Sequence, residues 1–105
     1  MKIGIGITTY NRPECLAKCL AQIKKHTDMG NVTLVVATDT DSDRRGVAYR
    51  KNECLRAFQD CDHIFLFDDD CYPIKDGWID YHIIQGYRGH LLFMDIKIHR
   101  VISSN

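Results

Sequence analysis

The sequence predicts an α/β fold in which helices cover a mostly parallel central sheet, and three observations carry that prediction. Three short apolar runs, at residues 2–8, 32–37 and 63–67, have the length and the β-branched or aromatic content of buried strands. The stretches between them place apolar residues at helical spacing, which gives a strand–helix–strand–helix–strand order. The connections are short, so each helix carries the chain over to a parallel neighbour.

The 105 residues make one domain, 1–105, long enough to bury about two-thirds of the unfolded surface. A hydrophobic content of 45% with only two prolines excludes a disordered chain. A net charge of zero excludes a general nucleic-acid binder, and no apolar run reaches the length of a membrane span. Met1-Lys2-Ile3-Gly4-Ile5-Gly6 lacks the apolar core and cleavage site of a signal peptide, so a first strand and a cytoplasmic location are expected. The five cysteines, Cys15, Cys19, Cys54, Cys61 and Cys71, are odd in number, contain no CxxC and offer no zinc set. They are expected as reduced thiols acting as small hydrophobes.

The first strand, Lys2–Thr8, alternates isoleucine with small or polar residues, and its glycines imply a close neighbour on one face. Asn11 is the expected helix cap, with Pro13 and Glu14 in the first turn. Cys15, Leu16, Cys19, Leu20 and Ile23 form the buried stripe of that helix, while Lys18, Gln22 and Lys25 face water. It should end near His26–Asp28, with Met29-Gly30-Asn31 as a turn before the strand Val32–Ala37. A polar loop over residues 38–46 leads to a second helix, Val47–Gln59, expected to bury Val47, Ala48, Leu55 and Phe58. His63–Phe67 is the third strand, Ile74–Gln85 a helix carrying Trp78, Gly86–Gly89 a turn and His90–Ile98 the last strand.

Polar groups follow each of the first three strands: Thr9-Tyr10-Asn11-Arg12, then Asp39–Asp43, then Asp68-Asp69-Asp70. In a parallel sheet all three project from one edge, where ligands of open α/β sheets bind. Three adjacent carboxylates repel one another unless a cation neutralises them, and oxygen-only donors suit Mg²⁺, Mn²⁺ or Ca²⁺ rather than zinc. An aromatic ring, hydrogen-bonding carboxylates and a cation site together suit a nucleoside diphosphate.

In these motifs the chain resembles the family 2 glycosyltransferases of the GT-A fold. Ile7-Thr8-Thr9-Tyr10-Asn11-Arg12-Pro13 is similar to the family's opening, and Val35–Asp43 to its acidic, Ser-containing loop. Arg50-Lys51-Asn52 is similar to an Arg-Asn pair with a lysine inserted, and Phe65–Asp70 followed by Tyr72-Pro73 to its DxD segment. The resemblance spans about residues 3–80. It implies a Rossmann-like, three-layer GT-A sandwich, truncated relative to full-length members. It also implies a nucleoside-diphosphate sugar as donor, a UDP-sugar favoured, with Mn²⁺ or Mg²⁺ as cofactor and an unidentified acceptor. Carried over by position, Thr9, Tyr10 and Arg12 line the nucleotide pocket, Asp39 or Asp41 meets the base edge, Asp68 meets the ribose or the metal, and Asp70 binds the metal. Asp69 is placed with the nucleotide-sugar contacts, and the run of three allows a shift of one that would make it the metal ligand instead.

Plainer roles stand beside these: Tyr10 as a helix cap, Arg12 and Arg50 as ordinary surface charges, and Thr9 and Asn52 without a functional role. An inverting transferase also needs a carboxylate base. Asp76, Asp80 and Asp95 are the acids downstream and match no motif, so no base is assigned; His82, His90 and His99 are within the set that could reach a metal, beside the plainer role of a lone histidine as a surface or core residue. The short length and absent base make a non-catalytic nucleotide-sugar module the alternative. An aspartyl-phosphate phosphatase is a third reading, weakened because the DxD lies on the third strand with Tyr72 where Thr or Val belongs. The apolar Leu91-Leu92-Phe93 near the C-terminus points to self-association as a homo-oligomer.

Overall fold

Along strand β1 (Ile3–Tyr10) the isoleucines and glycines fall on opposite faces, and that alternation builds both sides of the molecule. The computed structural model describes residues 1–84, 91–93 and 96–100, with side chains through residue 83. The remaining elements are α1 (Pro13–His26), a short 3₁₀ turn (Met29–Asn31), β2 (Val32–Asp39), α2 (Val47–Ala57), β3 (His63–Asp68), α3 (Trp78–Ile84), β4 (Leu91–Phe93) and β5 (Ile96–Arg100). On one face Ile3, Ile5 and Ile7 pack with Phe65 and Phe67 of β3 against Cys19 and Ile23 of α1 and Trp78 of α3. On the other face Cys54 and Phe58 pack onto Ile64 and Ala37. The glycines admit them: a Cβ on Gly4 would sit 2.6 Å from the Phe58 ring, and one on Gly6 2.8 Å from Cys54 Cβ. Helices on both faces of a sheet make three layers.

The sheet order is β2-β1-β3-β5-β4. β1 pairs in parallel with β2 and β3, β3 in parallel with β5, and β5 antiparallel with β4, so the sheet is mostly parallel. The chain winds from β1 outward to β2, then returns through α2 on the opposite face to place β3 on the other side of β1. β1 and β3 therefore flank a switch point, where the loops leaving neighbouring strands part and leave a crevice. No helix among the described residues is long and apolar enough to cross a membrane.

Several local expectations change. Asn11 is not the cap of α1; Arg12 holds that position without a side-chain cap bond, and Asn11 takes the turn itself at φ 50°, a conformation Asn tolerates better than most residues. Gln22 is half-buried rather than water-facing. The inner face of α2 runs Arg50, Cys54, Phe58, one helical turn apart. Val47 is accordingly 57% exposed and Ala48 lies on the outside, because the face that meets the glycines fixes the rotation of the helix. α3 begins at Trp78 rather than Ile74, since Gly77 stands at φ 76°, outside helical geometry. The predicted last strand divides into β4 and β5, which leaves β2 and β4 as the sheet edges. The expected turn at residues 86–89, with Gln85, His90 and Asp95, lies outside the described residues.

Candidate functional site

A cleft of about 320 Å³ opens at the carboxyl edge of the sheet over the β1/β3 switch point. Its walls come from the end of β1 (Thr8, Thr9, Tyr10), the start of α1 (Arg12), the end of β2 (Asp39), the loop and first turns of α2 (Arg44, Gly46, Val47, Arg50) and the end of β3 (Asp68, Asp70). Six of the residues expected at a nucleotide, Thr9, Tyr10, Arg12, Asp39, Asp68 and Asp70, are thus brought to one place. The parallel register does this, aligning Thr8 with Asp68 and Tyr10 with Asp39 on neighbouring strands.

Two expected residues are placed differently. Asp69 turns inward and is 1% exposed, because alternation along a strand end sends it opposite to Asp68 and Asp70. Its Oδ2 accepts from the Thr9 hydroxyl at 2.7 Å, and its Oδ1 forms an ion pair with Arg12 at 2.5 Å. It orients two cleft residues rather than lining the cleft. Asp41 lies outside the lining and accepts the Tyr10 hydroxyl proton. That bond, followed by one from Asn11, holds the Asp41 carboxyl below its ordinary value, and the same bond, followed by burial, pushes the Tyr10 phenol above its own.

Asp39 lines the cleft, yet both its oxygens are engaged. Oδ1 accepts from Arg45 N at 2.8 Å and Arg50 Nε at 3.0 Å, and Oδ2 from Gly46 N at 3.2 Å. The Arg45 amide is the largest cause of a carboxyl held below its usual range, with burial opposing and Arg50 adding to it. Arg50 is itself only 8% exposed. It donates to Glu53 at 2.5 Å and to the Asp43 carbonyl at 2.7 Å, and Glu53, followed by Asp39, keeps the guanidinium charged against the cost of burial. Asp39 and Arg50 thus form a keystone that shapes the loop between β2 and α2.

Asp68 keeps a half-exposed carboxylate that accepts from Thr8 Oγ1 at 3.2 Å and faces Lys51 Nζ at 3.4 Å. Asp70 is exposed beside it. Among the described residues no group of three or more His, Cys, Asp or Glu is arranged to hold an ion. Two oxygen-donor residues on one cleft wall nevertheless fit Mg²⁺ or Mn²⁺ bound together with a phosphorylated ligand, since these ions take one or two carboxylates and complete their shell with phosphate and water.

The other candidates lie elsewhere. Asp76 pairs with His26 at 2.7 Å, and Asp80 lines a second cleft with Met1, His26 and Val32 at the opposite edge of the sheet. His82 packs edge-on against Phe65 and Trp78 in the α1/α3 layer. Asn52 is exposed and outside the lining. Reading the sequence missed Thr8, Arg44, Gly46, Val47 and Lys51. The signal for Thr8 was available, because it is the residue in register with Asp68. Comparison with protein-family models, with curated proteins and with solved structures gives no match.

Proposed function

We propose that the cleft binds a nucleoside-diphosphate sugar, a UDP-sugar favoured, as the donor site of a GT-A-type glycosyltransferase. The observation that carries this reading is the meeting of Tyr10, two half-exposed or exposed aspartates and a set of arginines at the β1/β3 switch point. Tyr10 supplies a ring on which a base stacks, and the basic side chains meet the diphosphate. Asp68 and Asp70 are the residues that would hold Mn²⁺ or Mg²⁺, which would stabilise the diphosphate as a leaving group. Asp39 acts by fixing the loop on which Arg44, Gly46 and Val47 stand.

A second reading, a donor-binding module without transfer activity, draws on one observation. Among the described residues no carboxylate from beyond Asp70 lines the cleft as a general base.

Isothermal titration of UDP, GDP and their sugar conjugates, with and without Mn²⁺, tests the reading on wild type and Asp70→Ala. Metal-dependent binding that the substitution removes is the expected result. No binding at millimolar nucleotide refutes the site. Release of UDP from a UDP-sugar in the presence of candidate acceptors then separates enzyme from module.

A further inference from the structure

The cleft's cations are not equivalent. Arg12 is committed to Asp69, Arg50 to Asp39 and Glu53, and Lys51, which is outside the lining, to Asp68. Arg44 lines the cleft and, among the described residues, forms no ion pair with a carboxylate. Its guanidinium carbon lies 4.3 Å from the centre of the Tyr10 ring, and Nη1 donates to the Tyr10 hydroxyl at 3.3 Å. A cation–π contact at an exposed site is a weak hold. A guanidinium gains far more from a bidentate pair with phosphate oxygens.

We propose that Arg44 is the phosphate-reading residue of this cleft, and that it leaves the Tyr10 ring when it pairs with the diphosphate. The guanidinium occupies one face of the Tyr10 ring, so a base that stacks on that face takes its place there. Seating the phosphates and uncovering the stacking surface for the base are therefore a single movement, so the phosphate and base ends of the ligand bind with positive coupling. This rests on the donor-site reading and adds to it a residue that discriminates nucleoside diphosphates from nucleosides.

The test is calorimetric titration of UDP, pyrophosphate and uridine into wild type, Arg44→Met and Arg44→Lys. Arg44 is exposed on a loop, so both variants should retain the wild-type circular dichroism and melting temperature. Arg44→Met should weaken UDP and pyrophosphate roughly tenfold, while uridine is unchanged or tightens a few-fold because the ring is uncovered. Arg44→Lys should recover only part of the loss, because an ammonium lacks the planar fork. Equal weakening of uridine and UDP would make Arg44 a cover for the base and overturn the proposal, as would UDP affinity unchanged in Arg44→Met. A wild type that binds UDP normally beside an unaffected variant overturns this inference alone, whereas a wild type that binds none of the three overturns the donor site with it.

Discussion

Asp69→Asn separates framework from ligand contact within the three-aspartate run. The wild-type carboxylate is 1% exposed and carries a 2.7 Å bond from Thr9 and a 2.5 Å ion pair with Arg12. Hydrogen bonds to a charged group contribute about 1.5–3 kcal/mol, whereas a pair whose arginine is 51% exposed adds no more than about 1 kcal/mol. Asparagine keeps one acceptor for Thr9 but loses the charge and turns an amide toward Arg12. The net loss should be about 2 kcal/mol, which in a domain of this size lowers the melting temperature by about 10 °C. Asp70→Asn, at an exposed position, should stay within about 0.5 kcal/mol of wild type. Thermal melts followed by circular dichroism, with urea unfolding on the same samples, measure both. A second pair, Thr9→Val alone and with Asp69→Asn, should show coupling, since the two residues share one bond. If Asp69→Asn melts with the wild type yet loses UDP binding, the carboxylate is a ligand contact and its inward assignment is wrong.

Lys51→Met removes the ammonium 3.4 Å from Asp68 and should raise the affinity for Mn²⁺ alone about threefold by calorimetry, the weight of a partly exposed ion pair; unchanged affinity would show that Lys51 does not compete for Asp68. Gly4→Ala drives a Cβ to 2.6 Å from Phe58 and should cost about 1–3 kcal/mol in urea unfolding. Phe58→Leu added to it should cost less than the sum of the two single changes. Burial, followed by the nearby Asp69 charge, pushes the Cys19 thiol from 9.0 up to about 12. The unfolded chain therefore loses that proton first, and stability should fall as pH rises from 9 toward 12. Urea midpoints measured from pH 8 upward should show a shallower alkaline decline in Cys19→Ala.

The sheet was legible because its information is local. Ile3, Ile5 and Ile7, alternating with Gly4 and Gly6, state both that β1 is a strand and that one of its faces is closely approached. The aromatic run of β3 needs no partner to be recognised. The cleft was legible at the level of loops, since parallel strands send their C-terminal segments to one edge whatever the details. What could not be read was the rotation of each element about its axis. α2 was assigned a face through Val47 and Ala48, a choice its local apolar pattern permits. The true face is fixed from a distance, by two glycines on β1 and by the Asp39 keystone. An arginine on that face looks wrong to any hydrophobic count, and the carboxylates of Glu53 and of Asp39, eleven residues earlier, make it right.

The same limit explains the aspartates and the cations. Three identical residues in a row carry no sequence signal for which of them turns inward, although strand alternation settles it once β3 is known to end at Asp68. Arg44 and Lys51 were invisible for a related reason. Each is an ordinary polar residue until the others are accounted for. Asp69, Asp39 with Glu53, and Asp68 each take one cation, and the cation left over at the cleft sits on the ring where a base would stack. Local pattern thus places the cleft, while the pairing of charges across distant loops determines which cation at its wall is left without a carboxylate among the described residues.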